Sequence, residues 1–134
     1  MPAIKPRLVL AGWSYLVSTF LVVVGAIGMF TEQIGPLPTN RLHALGLNLG
    51  VGLVGFGFAR FGREDVFVLL AGIGMIAVAC LGFLPATQPW LYSTLHMDTF
   101  ESVFELASGV VSLVLWAALH KQFTATAPGA APTA

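Results

Sequence analysis

The sequence predicts an all-α, polytopic membrane protein with four transmembrane helices. Of its 134 residues, 57% are hydrophobic and 9% are charged, whereas a soluble domain of ordinary composition carries about 25% charged residues. This composition excludes an ordinary soluble domain and a disordered chain, which would be polar. It also excludes a nucleic-acid binder, which needs a basic face, because the formal net charge is zero. The expected partner of most of the surface is therefore the lipid bilayer.

Four apolar runs have about the length of 20 residues that a spanning helix needs. They cover approximately residues 8–30, 42–59, 66–84 and 99–119. The third run ends at Pro85, which cannot donate a backbone N–H and so terminates a helix. Residues 1–123 are thus predicted to form one four-helix transmembrane domain. Residues 124–134 carry no charge and no periodicity, which predicts a flexible tail.

The positive charges predict the orientation of the chain. Five of the six fall on one side of the predicted helices, namely Lys5, Arg7, Arg60, Arg63 and Lys121. Only Arg41 falls on the other side. Since short cytoplasmic loops keep the Lys and Arg residues, the N- and C-termini are both predicted to be cytoplasmic.

The two halves of the chain have the same layout. Each has a long apolar helix, an outer loop, and then a helix that opens with polar residues. Residues 24–30 in the first half are similar to residues 79–84 in the second. This layout predicts two parallel helix-hairpin repeats related by an axis along the membrane normal, as occurs in some transporters.

Small residues are expected to pack the helices, because lipid supplies no hydrophobic drive between them. In the second segment, Gly46 and Gly50 form a Gly-x-x-x-Gly step, and Gly55 continues the small spacing. In the fourth segment, Ser108 and Ser112 have the same spacing. These five residues are the predicted helix-packing positions.

A polar cluster is predicted at the outer ends of the helices. Its members are Asn40, Arg41, Asp98, Glu101 and Glu105, with His43 and His96 close by in sequence. Asp98 and Glu101 have the spacing of a capping box at the start of the fourth segment. Glu105 lies one turn deeper, where a charged group needs a partner. We expect Arg41 or His43 to pair with Glu101 or Glu105 and so join the two halves.

Two cofactor alternatives use the same residues. His43, His96, Glu101 and Glu105 offer imidazole and carboxylate ligands for a divalent metal, and His43 alone offers an axial ligand for haem or a chlorophyll-type pigment. No Glu-x-x-His or His-x-x-x-His spacing supports a metal site. The sequence therefore predicts no cofactor as its first hypothesis.

Residues 38–43, with the sequence PTNRLH, open an apolar helix that carries Gly50 and Gly52. Together with the apolar run 66–85, they resemble bacterial membrane proteins of the domain of unknown function 4383 family. The resemblance covers about half the chain and implies four spanning helices in a bacterial inner membrane, with Asn40 as a helix cap. It implies no activity. The chain departs from the family at Leu47, where members often have a second histidine.

Three functions remain open at this point. The first hypothesis is a non-enzymatic accessory or scaffolding subunit, which packs on other membrane protein subunits or on copies of itself. The second is a haem or metal binder at His43. The third is an oligomeric small transporter that uses Glu105 and Asn48. The sequence contains no nucleophile with a base, phosphate loop or Cys-x-x-Cys motif that would indicate catalysis.

Overall fold

The structure is a computed structural model that describes residues 5–125, with side chains described as far as Gln122. These residues form α1 (Pro6–Gly28), β1 (Gln33–Ile34), β2 (Leu37–Pro38), a π-helix (His43–Gly50), α2 (Val51–Arg60), α3 (Glu64–Phe83), α4 (Gln88–Leu95) and α5 (Thr99–Ala125). Most of the predicted tail, residues 126–134, lies outside the described residues, and positions 124 and 125 belong to α5.

Three of the described helices are long and apolar enough to cross a membrane. They are α1, α3 and the Thr99–Gln122 part of α5. The π-helix runs without a break into α2, and together they form the π–α2 segment (His43–Arg60). This segment occupies the second apolar run of the sequence. A π-helix of eight residues is long for this rare structure, which occurs mostly as single turns and frequently at functional sites.

Both helix caps predicted from the sequence are present. Asp98 Oδ1 accepts a hydrogen bond of 2.9 Å from the backbone N–H of Glu101 at the start of α5. Asn40 Oδ1 accepts one of 2.9 Å from the backbone N–H of His43 at the start of the π-helix. Each cap satisfies a backbone donor that has no partner within its own helix.

The helices pack as two pairs, α1 with the π–α2 segment and α3 with α5. Within each pair the backbones approach so closely that only glycine fits. A Cβ atom added to Gly25 would lie 2.6 Å from the backbone nitrogen of Leu49, and one added to Gly52 would lie 2.9 Å from the backbone of α1. In the other pair, a Cβ atom on Gly109 would lie 3.0 Å from the carbonyl oxygen of Gly72.

The three glycines of the π–α2 segment that are predicted to pack helices differ in what they contact within the described residues. Gly55 lies at a contact, since a Cβ atom there would collide with side chains of α1 and α3. Gly46 has nothing within 4 Å of such an atom, and Gly50 is near only its own segment. Gly52 is a further contact, since a Cβ atom there would lie 2.9 Å from backbone atoms of α1.

Contacts between the two pairs are fewer. Val17 and Leu21 of α1 pack on Phe67 of α3. The Trp13 indole N–H donates a hydrogen bond of 2.8 Å to Ser112 Oγ. The Ser112 hydroxyl in turn donates to the carbonyl oxygen of Ser108, the other predicted packing residue of this helix, at 2.8 Å. Ser112 therefore links α1 to α5.

The β-hairpin and α4 cover one end of the bundle, the end at which the π-helix and α5 begin. We call it the capped end. The outer loop predicted between the third and fourth apolar runs, at residues 85–98, is partly helical: eight of its residues form α4, which has a proline in its first turn. Asn40 Nδ2 donates a hydrogen bond of 2.7 Å to the Thr94 carbonyl. His43 Nδ1 donates one of 3.0 Å to the Leu95 carbonyl. These bonds fasten α4 to the start of the π-helix.

Candidate functional site

Two apolar cavities lie between the helix pairs, with volumes of about 530 Å³ and 280 Å³. Both are lined by Leu21, Asn48, Met75 and Glu105, one residue each from α1, the π-helix, α3 and α5. The two cavities therefore lie next to each other, on either side of these four residues. The larger one falls within the range of about 300 to 1,000 Å³ that is usual for small-molecule sites.

The larger cavity lies between the π–α2 segment and α3. Gly46, Gly50 and Gly74 line it, and their missing side chains leave the space open. Val54 and Leu70 at its rim are exposed. The cavity thus opens sideways, through the apolar face of the bundle, rather than through an end.

The smaller cavity lies between α1 and α5. Its walls include Trp13, Phe20 and Phe104, and the rings of Phe20 and Phe104 contact each other with centroids 5.4 Å apart. Leu16 at its edge is exposed. Glu101 and Glu105 of α5 supply the charged groups on its walls.

Asn48 is a buried polar side chain without a partner. It is 5% exposed, lines both cavities, and its amide makes no hydrogen bond within residues 5–125. Burying an amide in apolar surroundings without a hydrogen bond costs on the order of 1 to 3 kcal/mol. A group that fills the cavity and bonds to Asn48 would recover this free energy.

Glu105, on the opposite wall, likewise has no ion-pair or hydrogen-bond partner in the part of the chain that the structure describes. It is partly buried, lines both cavities, and forms neither an ion pair nor a hydrogen bond with any described residue. It lies six residues after the start of α5, about 9 Å along the helix axis at 1.5 Å per residue. The bundle therefore places an amide and a carboxyl group on the walls of the same two cavities.

The predicted contact between the second and fourth segments is present, and it joins His43 to Glu101. His43 Nε2 lies 3.1 Å from Glu101 Oε1, and the two residues are 1% and 7% exposed. Arg41 is exposed and takes no part in this pair. Glu101 does not reach back to Asp98 as the capping-box prediction required.

The hydrogen-bond partners of His43 determine the charge of this pair. Both ring nitrogens face oxygen atoms, Nδ1 that of the Leu95 carbonyl and Nε2 that of Glu101. Because a carbonyl can only accept, Nδ1 carries a hydrogen, and a second proton is needed between Nε2 and Glu101 Oε1. Whichever atom holds this proton, the pair has no net charge.

The four predicted metal ligands do not form a metal site. Nowhere in residues 5–125 do three His, Cys, Asp or Glu side chains come together in a suitable arrangement. His96 ends α4, with its ring beside Tyr92 and its Nδ1 atom 3.3 Å from the Thr39 carbonyl oxygen. Ligation of haem by His43 would require it to give up its contact with Glu101 or Leu95.

Sequence reasoning identified Asn48 and Glu105 as unusual polar residues but missed the cavity that joins them. Their signal was polarity within an apolar run. Leu21 and Met75, which complete the centre of the site, gave no signal because aliphatic residues are ordinary in such runs.

Comparison with protein families, with curated proteins and with solved structures gives no match to this chain. The resemblance to the domain of unknown function 4383 family stays a prediction that rests on residues 38–43 and 66–85. The function is accordingly argued from the site.

Proposed function

We propose that this protein crosses a bacterial inner membrane four times and binds an amphipathic small molecule, dissolved in the bilayer, between its two helix pairs. The fourth span in this proposal is the π–α2 segment, which is helical without interruption from residue 41 to residue 60. Both termini are cytoplasmic in this arrangement, in accord with the positive charges. The two helix pairs correspond to the two halves of the chain, as the predicted repeats require.

The observation that carries this proposal is that Asn48 and Glu105 line the same two apolar cavities without partners of their own among the described residues. In a membrane, unpaired groups of this kind are costly and mark binding sites or pathways. A molecule with a polar head between Asn48 and Glu105 and an apolar body in the cavities would satisfy both residues. Binding is also the first step that the transporter hypothesis requires of the same two residues.

A matched pair of variants tests the proposal. Gly74 lines the larger cavity, whereas Gly12 lies on α1 outside both cavities, and each has nothing within 4 Å of an added Cβ atom. We expect Gly74→Leu to fill the cavity, while Gly12→Leu adds the same side chain where no ligand binds.

The measurement is native mass spectrometry of the protein extracted from its own membrane into lipid nanodiscs. We expect a small molecule retained by the wild type and by Gly12→Leu, and lost from Gly74→Leu. Equal retention of the small molecule by both variants would overturn the proposal. The same holds if the wild type retains no small molecule and also shows no saturable binding of an amphipathic probe.

The accessory or scaffolding role is a second candidate, favoured by the open position of Gly46. A second spanning helix could approach the π–α2 segment at this point, because no side chain intervenes. A second copy of the chain is the occupant to test first. In a Cys80→Ser background, Gly46→Cys should form a disulfide-linked dimer in membranes, and Gly12→Cys should not. Monomers from both variants would count against self-association at this face.

A further inference from the structure

We infer that the site selects molecules whose polar head is a cation, such as a lipophilic amine. This inference rests on the proposed function and names its ligand class. It follows from the charges around the cavities, from the groups that remain unpartnered, and from the walls that surround the head.

The charges around the cavities add up to one uncompensated acid. The His43–Glu101 pair is neutral for either position of its proton, as the two acceptors around the imidazole require. This leaves Glu105, whose ionised form a cationic head group would stabilise. Among the described residues, those that line the two cavities include no Lys, Arg or His, so the cavity walls supply Glu105 with no positively charged side chain.

Apolar surroundings strengthen the preference for a cation. The attraction between opposite charges increases as the effective dielectric constant falls. The walls around Glu105 are aliphatic and aromatic, with Leu21, Met75 and Phe104 next to the space that the head would occupy. Aromatic faces near a cation add to the attraction.

The remaining polar groups are mainly acceptors. Glu101 Oε2 is buried without a partner, and Glu101 lines the smaller cavity beside Glu105. Asn48, on both cavities, adds the acceptor Oδ1 and the donor Nδ2. An ammonium group has three donors and no acceptor, which matches this set, whereas a carboxylate head would face two acids.

Tryptophan fluorescence can report occupancy of the site directly. Trp13 lines the smaller cavity, and Trp90→Phe with Trp116→Phe removes the other two tryptophans of the chain. Three probes with the same terminally brominated long chain and a primary amine, an alcohol or a carboxylate head quench tryptophan on contact. They are titrated into protein in nanodiscs of zwitterionic lipid, with probe expressed per lipid.

In the wild-type site we expect the amine to saturate the quenching at a concentration about tenfold lower than the alcohol, equivalent to about 1.4 kcal/mol. The carboxylate should bind more weakly than the alcohol. Equal saturation by amine and alcohol would overturn the cation inference and leave the proposed function intact. No saturable quenching by any probe would overturn the proposed function itself.

Glu105→Gln keeps the size of the side chain and removes its charge. We expect it to abolish the preference for the amine while the alcohol still binds. The control is Glu32→Gln, an exposed acid outside both cavities, which should keep the preference. Retention of the full preference by Glu105→Gln would contradict the inference, and the wild-type comparison stands even where this variant does not fold.

Discussion

The contacts within each helix pair differ from the contacts between the pairs. Within a pair, glycines bring two backbones together, as Gly25 does on Leu49 and Gly109 on Gly72. Between the pairs, two cavities lie beside the packing of Val17 and Leu21 on Phe67. This interface is crossed by one buried His–Glu pair and by the hydrogen bond from Trp13.

The closest packing thus lies within the pairs, and space is left where the pairs face each other. In lipid, close packing is the main source of helix association, so an interface with cavities gives up stability. Such a loss is explained when the space serves binding. Four substitutions test whether the two kinds of contact differ as described.

We expect the greatest loss of stability from His43→Leu, which removes the histidine of the His43–Glu101 pair between the helix pairs. Loss of one partner leaves Glu101 buried without compensation, which lowers the free energy of unfolding by about 3 to 5 kcal/mol. Chemical unfolding in detergent micelles measures the change. The double variant His43→Leu with Glu101→Leu should recover most of the loss. A single variant as stable as the wild type would show that the pair does not join the halves.

Gly25→Ala tests the close contact within the first pair. Its Cβ atom would lie 2.6 Å from the backbone nitrogen of Leu49 and 2.8 Å from the Ala44 carbonyl oxygen, so the helices must separate. We expect a loss of about 1 to 3 kcal/mol in the same assay. Gly12→Ala, on the same helix with nothing within 4 Å, is the control and should lose nothing. Equal behaviour of the two variants would contradict the paired packing.

Trp13→Phe removes the hydrogen bond to Ser112 and keeps an aromatic ring. Ser112 retains its bond to the Ser108 carbonyl, so no buried hydroxyl is left without a partner. Because hydrogen bonds between membrane helices average about 0.6 kcal/mol, we expect a loss of that order. The thermal unfolding midpoint is a sensitive measure. A loss as large as that of His43→Leu would mean that Trp13 is the main link.

Gly74→Ala tests whether the larger cavity is open at the α3 wall, which Gly74 lines. The added methyl group meets nothing within 4 Å, and alanine is favoured over glycine in a helix interior by about 0.5 to 1 kcal/mol. We therefore expect a small gain of about 0.5 kcal/mol, read as a higher unfolding midpoint. A clear loss of stability would indicate that this wall is packed and that the cavity is not open there.

Local chemistry made part of the structure predictable. Asp98 and Asn40 were recognisable as caps because a cap depends on residue type and on distance along the chain. Glu101 and His43 could be matched because an acid at the edge of an apolar run needs a partner, and few were available. The three apolar helices followed from length and composition alone.

The helix-packing positions and the cavities were not predictable, because they depend on which face each helix turns toward its neighbours. The π-helix rotates the positions around Asn48 relative to an α-helix, and hydrophobic residues carry no signal for this change. Gly52 and Gly46 are alike in sequence, yet one meets α1 and the other meets open space. Likewise α4, with eight residues, is much shorter than the apolar runs of about 20 residues that indicate a spanning helix.

The hydrogen bonds that hold α4 across the capped end affect how any ligand reaches the centre. With Thr94 and Leu95 bound to the start of the π-helix, the cavity communicates with its surroundings between the helices, past Val54 and Leu70. A ligand would then arrive by lateral diffusion within the hydrocarbon, at a concentration set by its partition coefficient. Dissociation constants referred to the aqueous phase should consequently rise as more lipid is added, while those referred to the lipid phase stay constant.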